Sequence, residues 1–452
     1  MPPIKTLDKL RKVLDPKPLK LEQLAEFFVE TDEARDPTLS RRDEIAEILL
    51  EGSTNAKILF AGHNGTGKST ELVKFRSDHQ DKLTFIELSI ITDGDPAKVN
   101  VEGLLVLIAE AVLRQMNELG LNLSENHLER IYKWFDETFE GHEKSHVHNA
   151  EVGGGLDMKE SYMAKLLGLT GTLKTGIRSG SATVSKTIRK VENNLPDLVS
   201  HCGTLLKEAE LAVFENNADS LVLVIEDLDK IPIDKAIRLF IDNPAPLAGL
   251  PVRAVLTAPV FLFFNPRASI LDSHFERVTM PMIKIMEPGG QRYERGWVAI
   301  RKILAQRVEL ESCIDDDALE LAVEKTGGVL RHLFQTLRTA ALAAGQDFKR
   351  GHRDVERINQ ADVRYGLDRM KSNLIDRIGV MGLPDEFDGI ETADLYERLK
   401  VFRKSQRAPS NRVNLLLMQA DALLEYNGSR WHRAHPLILE YLDELESPPQ
   451  EA

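Results

Sequence analysis

Cysteine is nearly absent. The two residues in 452, Cys202 and Cys313, lie far apart and outside any CxxC or Cys/His grouping, which excludes a disulfide framework and a zinc site. Long apolar runs are missing as well. No stretch approaches the roughly 18 apolar residues of a membrane span, and the opening MPPIKTLDKLRKVLDPKPLK has no apolar signal-peptide core. A reducing cytoplasm without an anchor is the expectation. Positive charge is outweighed, 58 Lys and Arg against 71 Asp and Glu for a net charge of -13. That excludes a surface that coats nucleic acid as a whole and leaves room only for a local basic patch. No nuclease or deaminase motif is present.

Hydrophobic residues make up 42% and charged residues 29%, enough to bury large cores. The length exceeds what one core usually fills, so two or three domains are expected. An arm over 1–40 carries the amphipathic LEQLAEFFVE. A helix follows in SRRDEIAEIL with Ser40 as N-cap and acidic residues in its first turn. KILFAG, KLTFIELSI, SLVLVIEDLD, PVRAVLTAP and RVTMPMIKI read as short, apolar, buried strands separated by helical patterns, which predicts a parallel α/β sheet over 41–290. The segment 120–217 interrupts this alternation, and its Gly, Ser and Thr content predicts low order near 140–185. Helical periodicity over 291–360 predicts a lid. The stretch 361–452 has helices followed by Tyr426-Asn427-Gly428, a hairpin turn signal, and reads as a winged helix.

Chemistry concentrates at Gly62-His63-Asn64-Gly65-Thr66-Gly67-Lys68-Ser69, a full GxxxxGK[ST] pattern between a strand and a helix that continues with Thr70. Glycines let backbone N–H groups face phosphates, the helix N-terminus adds partial positive charge, Lys68 reaches the β and γ phosphates, and Ser69 ligates Mg²⁺. ATP with Mg²⁺ is the expected ligand pair. A metal-bound triphosphate also needs carboxylates at a neighbouring strand end, supplied here after LVLVI. Glu226 is expected to hold the metal through water, Asp227 to act as base or to position water, and Asp229 to be a structural or sensing acid.

With these motifs the chain resembles AAA+ and STAND-type ATPases of the origin-recognition-like and KAP-like bacterial groups over roughly 35–345. The resemblance implies a P-loop core, a helical lid and a C-terminal winged helix. In Arg41-Arg42-Asp43-Glu44 it matches an R-x-x-E helix that would bring Arg41 or Arg42 against the nucleotide. It makes Thr257 a polar sensor, Arg331 of Gly327-Gly328-Val329-Leu330-Arg331 the lid arginine at the γ-phosphate, and Arg277, with Arg267 as competitor, an arginine finger acting on a neighbouring subunit. Glu226 stands where the family usually has Asp, which favours slow, switch-like turnover. The function implied is an ATPase switch with a protein partner and self-association, of a kind used in bacterial stress or anti-phage signalling. Lys400, Arg403, Lys404, Arg407 and Arg412, with Arg430, His432 and Arg433 on the wing, open a second reading as an ATP-regulated DNA-binding protein. The same region carries DEFDGIE and LEYLDELE, so a protein-binding winged helix fits too. A P-loop small-molecule kinase ranks last, having no use for Thr257, Arg331 or the winged helix.

Overall fold

The computed structural model describes residues 3–139, 161–181, 194–216, 220–379, 383–426 and 431–447. Five strands, β1 Lys57–Gly62, β2 Leu83–Ser89, β3 Ser220–Glu226, β4 Arg253–Pro259 and β5 Glu276–Thr279, form a sheet in the order β2-β3-β4-β1-β5. Every neighbouring pair is parallel. The sheet is buried on both faces. Ile58, Phe60, Val222, Val224, Val255 and Val278 pack with Ile45, Leu49, Leu72 and Phe75 from helices α2 Arg41–Leu50 and α3 Lys68–His79. The alternate residues Leu59, Leu223, Ile225, Ala254 and Leu256 join the cluster that contains α4 Val101–Glu118 and α7 Leu195–Glu215. This two-sided alternation is why the strands read as continuous apolar runs. The strand expected through Ile285 ends at Thr279 because Pro281 has no N–H to donate. Ser40 caps α2, its hydroxyl accepting from Asp43 N.

The segment read as poorly ordered is helical where it is described. Helix α5 spans Glu125–Phe139 and α6 spans Tyr162–Ser179. In α6, Leu166, Thr170, Leu173 and Gly176 are buried, a 3–4 spacing that composition alone conceals. Lys174 fixes it to the core through Asp93 at 2.7 Å and Glu110 at 3.0 Å. Residues 140–160 and 182–193 lie outside the described set.

The region expected to form a lid comprises α8 Glu294–Ala305, α9 Asp316–Thr326 and α10 Leu330–Lys349, followed by α11 Gln360–Ile375. The C-terminal region holds α12 Thr392–Val401, α13 Arg412–Gln419, an antiparallel hairpin of β6 Leu423–Tyr426 with β7 Trp431–Ala434, and α14 Pro436–Glu446. Tyr426 and Trp431 face each other at its tip, rings stacked 4.4 Å apart. The Asn427-Gly428 turn and Arg430 lie outside the described residues. Helix α13 is buried from Asn414 to Met418. It packs on the 3₁₀ segment Val260–Phe264 beyond β4, all five of whose residues are buried.

The arm is structured too. Helix α1 Leu7–Val13 packs on α10, Ile4 bridges to Val308, and Leu19 N–H donates to the Thr70 hydroxyl at 3.2 Å. Among the described residues no helix is long and apolar enough to cross a membrane.

Candidate nucleotide site

The turn from β1 into α3 is shaped by backbone that other residues resist. Gly65 has φ +84°, and a Cβ there would lie 2.3 Å from the Cβ of Arg331. Glycine is therefore required both by the left-handed conformation and by the approach of α10. Gly328, before that helix, has φ +81°, and a Cβ would meet the Ile283 carbonyl at 2.1 Å. Two glycine-dependent turns thus bring the first residues of α10 against the phosphate loop.

Lys68 is buried. Its ammonium donates to the carbonyls of Gly62 at 2.7 Å and His63 at 3.1 Å and pairs with Asp229 at 2.9 Å. The Ser69 hydroxyl hydrogen-bonds Glu226, whose carboxylate also takes a bond from Arg76 at 2.8 Å. Burial raises the Glu226 pKa, an effect that Arg76 and Ser69 only partly offset. Asp227, in the left-handed region at φ 70°, accepts from Ser89 Oγ and pairs with Lys230. The acid beside the loop lysine is thus Asp229, with Asp227 directed toward the end of β2. The sequence alone does not reveal this, because the left-handed turn at Asp227 redirects the two side chains. Thr257, on the strand between β3 and β1, accepts from Leu228 N at 3.2 Å and so steadies the acidic turn from behind.

A cavity of about 530 Å³ opens on this loop. Gly65, Gly67, Lys68, Ser69, Thr70, Asp229 and Arg331 line it from the loop, the acidic turn and α10; Val13, Phe27, Val29, Ile303, Leu330 and Phe334 add apolar side chains, and Lys12, Asp15, Lys17 and Lys20 of the arm add charged ones. Glu226, Asp227 and Thr257 are not among its lining residues. Among the described residues no cluster of three His, Cys, Asp or Glu could hold a metal. The donor set that fits a divalent ion here is the Ser69 hydroxyl with the Glu226 carboxylate, a hard-oxygen pair that suits Mg²⁺ coordinated partly by water and phosphate.

The arginines are placed differently from expectation. Arg41 pairs with Asp36 at 2.7 Å and Glu44 at 2.6 Å. Arg42 reaches Glu30, Asp32 and Asp78 and lies 3.1 Å from Glu71 without hydrogen-bond geometry. Neither lines the cavity. The R-x-x-E spacing here produces an i,i+3 ion pair on one helix face. The arginine that does touch the loop is Arg35, which sequence reasoning missed. It is 3% exposed, donates to Thr66 O at 2.6 Å and Thr31 Oγ1 at 2.9 Å, and also bonds Pro281 O. Burial brings its pKa down to about 10, so it stays cationic. Arg277 pairs with Asp272 at 2.6 Å over the Phe263 ring, and Arg267 pairs with Asp242 at 2.7 Å; both lie off the cavity.

His63, the second residue of the loop, points the other way, into the C-terminal region. Its Nε2 accepts from Glu425 N at 3.1 Å, which leaves Nδ1–H to donate to Asp421 at 3.3 Å. Asp421 also takes a bond from Arg377 at 3.3 Å. Burial pushes the Asp421 carboxyl up, but the bond and charge from His63, with His332 and Arg377, outweigh it and hold it below the usual range. A second link is made one residue beyond Arg331. His435 Nδ1 accepts from Leu437 N, so its Nε2–H faces His332 Nδ1 at 3.1 Å. Burial depresses His332 to about 4 and His435 well below its usual value. Tyr426 OH donates to Gly327 O at 2.7 Å. No sequence signal marked His63 or Asp421, since their partnership spans 358 positions.

The expected basic surface is neutralised in part. Lys400 pairs with Glu397 and Glu446, Arg403 with Asp443 and Glu446, and Arg412 donates to Glu386 O. His432 is buried and Arg433 lies against Met286.

A parallel five-stranded sheet flanked by helices, with a phosphate loop leaving β1 and an acidic turn leaving β3, defines a P-loop NTPase fold. No protein-family model and no curated protein matches the sequence. Among solved structures, the chain is similar to the ORC2 protein of Aeropyrum pernix in its ADPNP–ADP complexes, at 12% identity, 96% of this chain, 97% of that chain and a TM-score of 0.41. It is also similar to the ORC1 protein of Aeropyrum pernix in complex with DNA, at 15% identity, 96% of each chain and a TM-score of 0.38.

Proposed function

We propose that this chain binds ATP with Mg²⁺ in the cavity above the phosphate loop, hydrolyses it slowly, and uses the nucleotide state to control a protein partner, as AAA+ and STAND-like switches do. The observation that carries this is the convergence of Lys68, Ser69, Asp229 and Arg331 on one cavity that apolar side chains of the arm and the lid also line. Lys68 and the loop amides would bind the β and γ phosphates, and Arg331 would meet the γ-phosphate from the lid. Ser69 and Glu226 would hold Mg²⁺, which neutralises phosphate charge when bound. Asp229 or Asp227 would orient the attacking water. The coupling route is His63 and His332, which tie the phosphate loop and the lid helix to the C-terminal region. Self-association with Arg277 or Arg267 acting across an interface, and a role in stress or anti-phage signalling, belong to the same reading.

DNA control ranks second, because helix α13 is covered by Val260–Phe264 and would have to undock before it could enter a groove. The test is Mg²⁺-dependent ATP turnover of the parent, Lys68→Ala and Asp229→Asn proteins, with and without duplex DNA and across protein concentration. Turnover lost in both variants supports the reading. Strong stimulation by DNA reverses the ranking, and turnover unchanged in Lys68→Ala overturns the ATPase assignment.

A further inference from the structure

Charged residues of the arm, Lys12, Lys17 and Lys20, line the cavity from exposed positions, and a further cation beside the apolar side chains of the lid is buried. Arg307, just beyond α8, is 7% exposed and lines the cavity. Its Nη1 donates to Ile303 O at 2.7 Å and Phe27 O at 3.2 Å. The guanidinium lies over the rings of Phe27 from the arm, at 5.1 Å, and Phe334 from the lid, at 5.6 Å. Among the described residues it has no carboxylate partner, in contrast to Arg41, Arg42 and Arg277. Burial lowers its pKa only to about 10, so the group is charged at neutral pH. A buried guanidinium has five N–H donors in a planar fork, and two carbonyl bonds from one nitrogen leave the rest of the fork unspent.

The surroundings indicate what such a donor would meet. The loop amides, Lys68 and Arg331 already serve the phosphates. Phe334 lies about one helical turn beyond Arg331, so the cavity wall continues along α10 from Arg331 to the ring that Arg307 covers. Its neighbours Phe27 and Phe334 are aromatic and suited to a flat ring, and an unspent N–H can donate to a ring nitrogen such as purine N7, which pyrimidines lack. We propose that Arg307 is a nucleobase-contacting residue that selects purine nucleotides by donating a hydrogen bond to a purine ring nitrogen, such as N7, of a base held between the arm and the lid. This rests on the cavity being a nucleotide site.

A purely structural Arg307, clipping Phe27 O to the lid, would weaken every ligand alike. The experiment therefore measures affinity for ATP, GTP, CTP and tripolyphosphate, each with Mg²⁺, in the parent, Arg307→Gln, Arg307→Lys and Lys68→Ala proteins, with thermal unfolding of each. The expected result is a loss of ATP affinity of about tenfold or more in Arg307→Gln, with tripolyphosphate within about twofold of the parent and the ATP-to-CTP ratio falling toward one. Arg307→Lys, which keeps the charge but not the fork, should also lose the ratio, and carries the test if Arg307→Gln unfolds. Equal losses for ATP and tripolyphosphate, or an unchanged ATP-to-CTP ratio, overturn the proposal. The Lys68→Ala arm separates the two readings: tripolyphosphate binding untouched by that change sinks the phosphate site itself, whereas its loss beside an unchanged base ratio in the Arg307 variants sinks the base contact alone.

Discussion

The phosphate loop is gripped from two sides by different chemistry. On the sheet side, Lys68 and Ser69 meet Asp229 and Glu226 through ion pairs and hydrogen bonds at the wall of an open cavity. On the C-terminal side, His63 and the lid's His332 meet Asp421 and His435 in bonds sealed from solvent, His63 being 2% exposed and His435 0%. The first set is within reach of a ligand that could exchange partners with it. The second can change only by moving a domain or a proton. Turnover and docking should therefore respond to different substitutions, although both reach the same eight residues.

The largest expected effect lies on the sheet side. On the proposed function, Lys68→Ala should lower ATP turnover by roughly 100-fold or more, since it removes the charge that would meet the transferring phosphate; steady-state phosphate release measures it. Acid comes next, on the sealed side. His332 is held neutral by burial, so the unfolded chain takes up a proton near pH 6.5 that the folded chain refuses until about 4. Its contribution is intact above pH 6.5 and lost as pH falls toward 4, by about 3 kcal/mol. Glu71, raised to about 7 by burial, acts in the opposite sense, because the folded state takes its proton first. The clean readout is thus a difference: the stability gap between parent and His332→Asn should narrow by about 3 kcal/mol between pH 7.5 and pH 4 in urea titrations. A constant gap would mean that His332 does not stay neutral.

Asp421→Ala follows, expected to cost about 2–3 kcal/mol because the buried His63 Nδ1–H loses its acceptor. If docking and catalysis are separable, residual turnover per folded molecule changes far less than in Lys68→Ala. The smallest effect belongs to Arg41→Ala, expected to cost about 1–2 kcal/mol in stability without change in ATP affinity, because it strips the largely buried carboxylates of Asp36 and Glu44 of a charged partner. Loss of ATP binding there would contradict its placement away from the cavity.

The same division separates what was legible in the sequence from what was not. The loop at Gly62–Ser69 and the acids after β3 could be read because each is contiguous and its backbone setting, strand then turn, is written beside it. Thr257 could be placed at a strand end for the same reason, although its bond to Leu228 N could not. Arg35, Arg307, His63 and Asp421 were invisible because their chemistry comes from partners distant in sequence: Arg35 bonds a carbonyl 246 positions away. Arg41 misled because R-x-x-E also describes an ordinary helix-face ion pair. The Gly-rich stretch in α6 misled because composition hid a helical period that Leu166, Thr170 and Leu173 carry.

The arm also sets a limit on travel. Leu14 is fixed on the lid with α1, and Leu19 is fixed on the loop helix through Thr70. The five residues' worth of chain between them, interrupted by Pro16 and Pro18, has a contour length of no more than about 18 Å. While both ends hold, the lid is leashed: it can swing only as far as that length allows. A nucleotide exchanging through this site would do so within a bounded stroke, and shortening or lengthening the segment 15–18 would reset the bound without touching any residue of the phosphate loop.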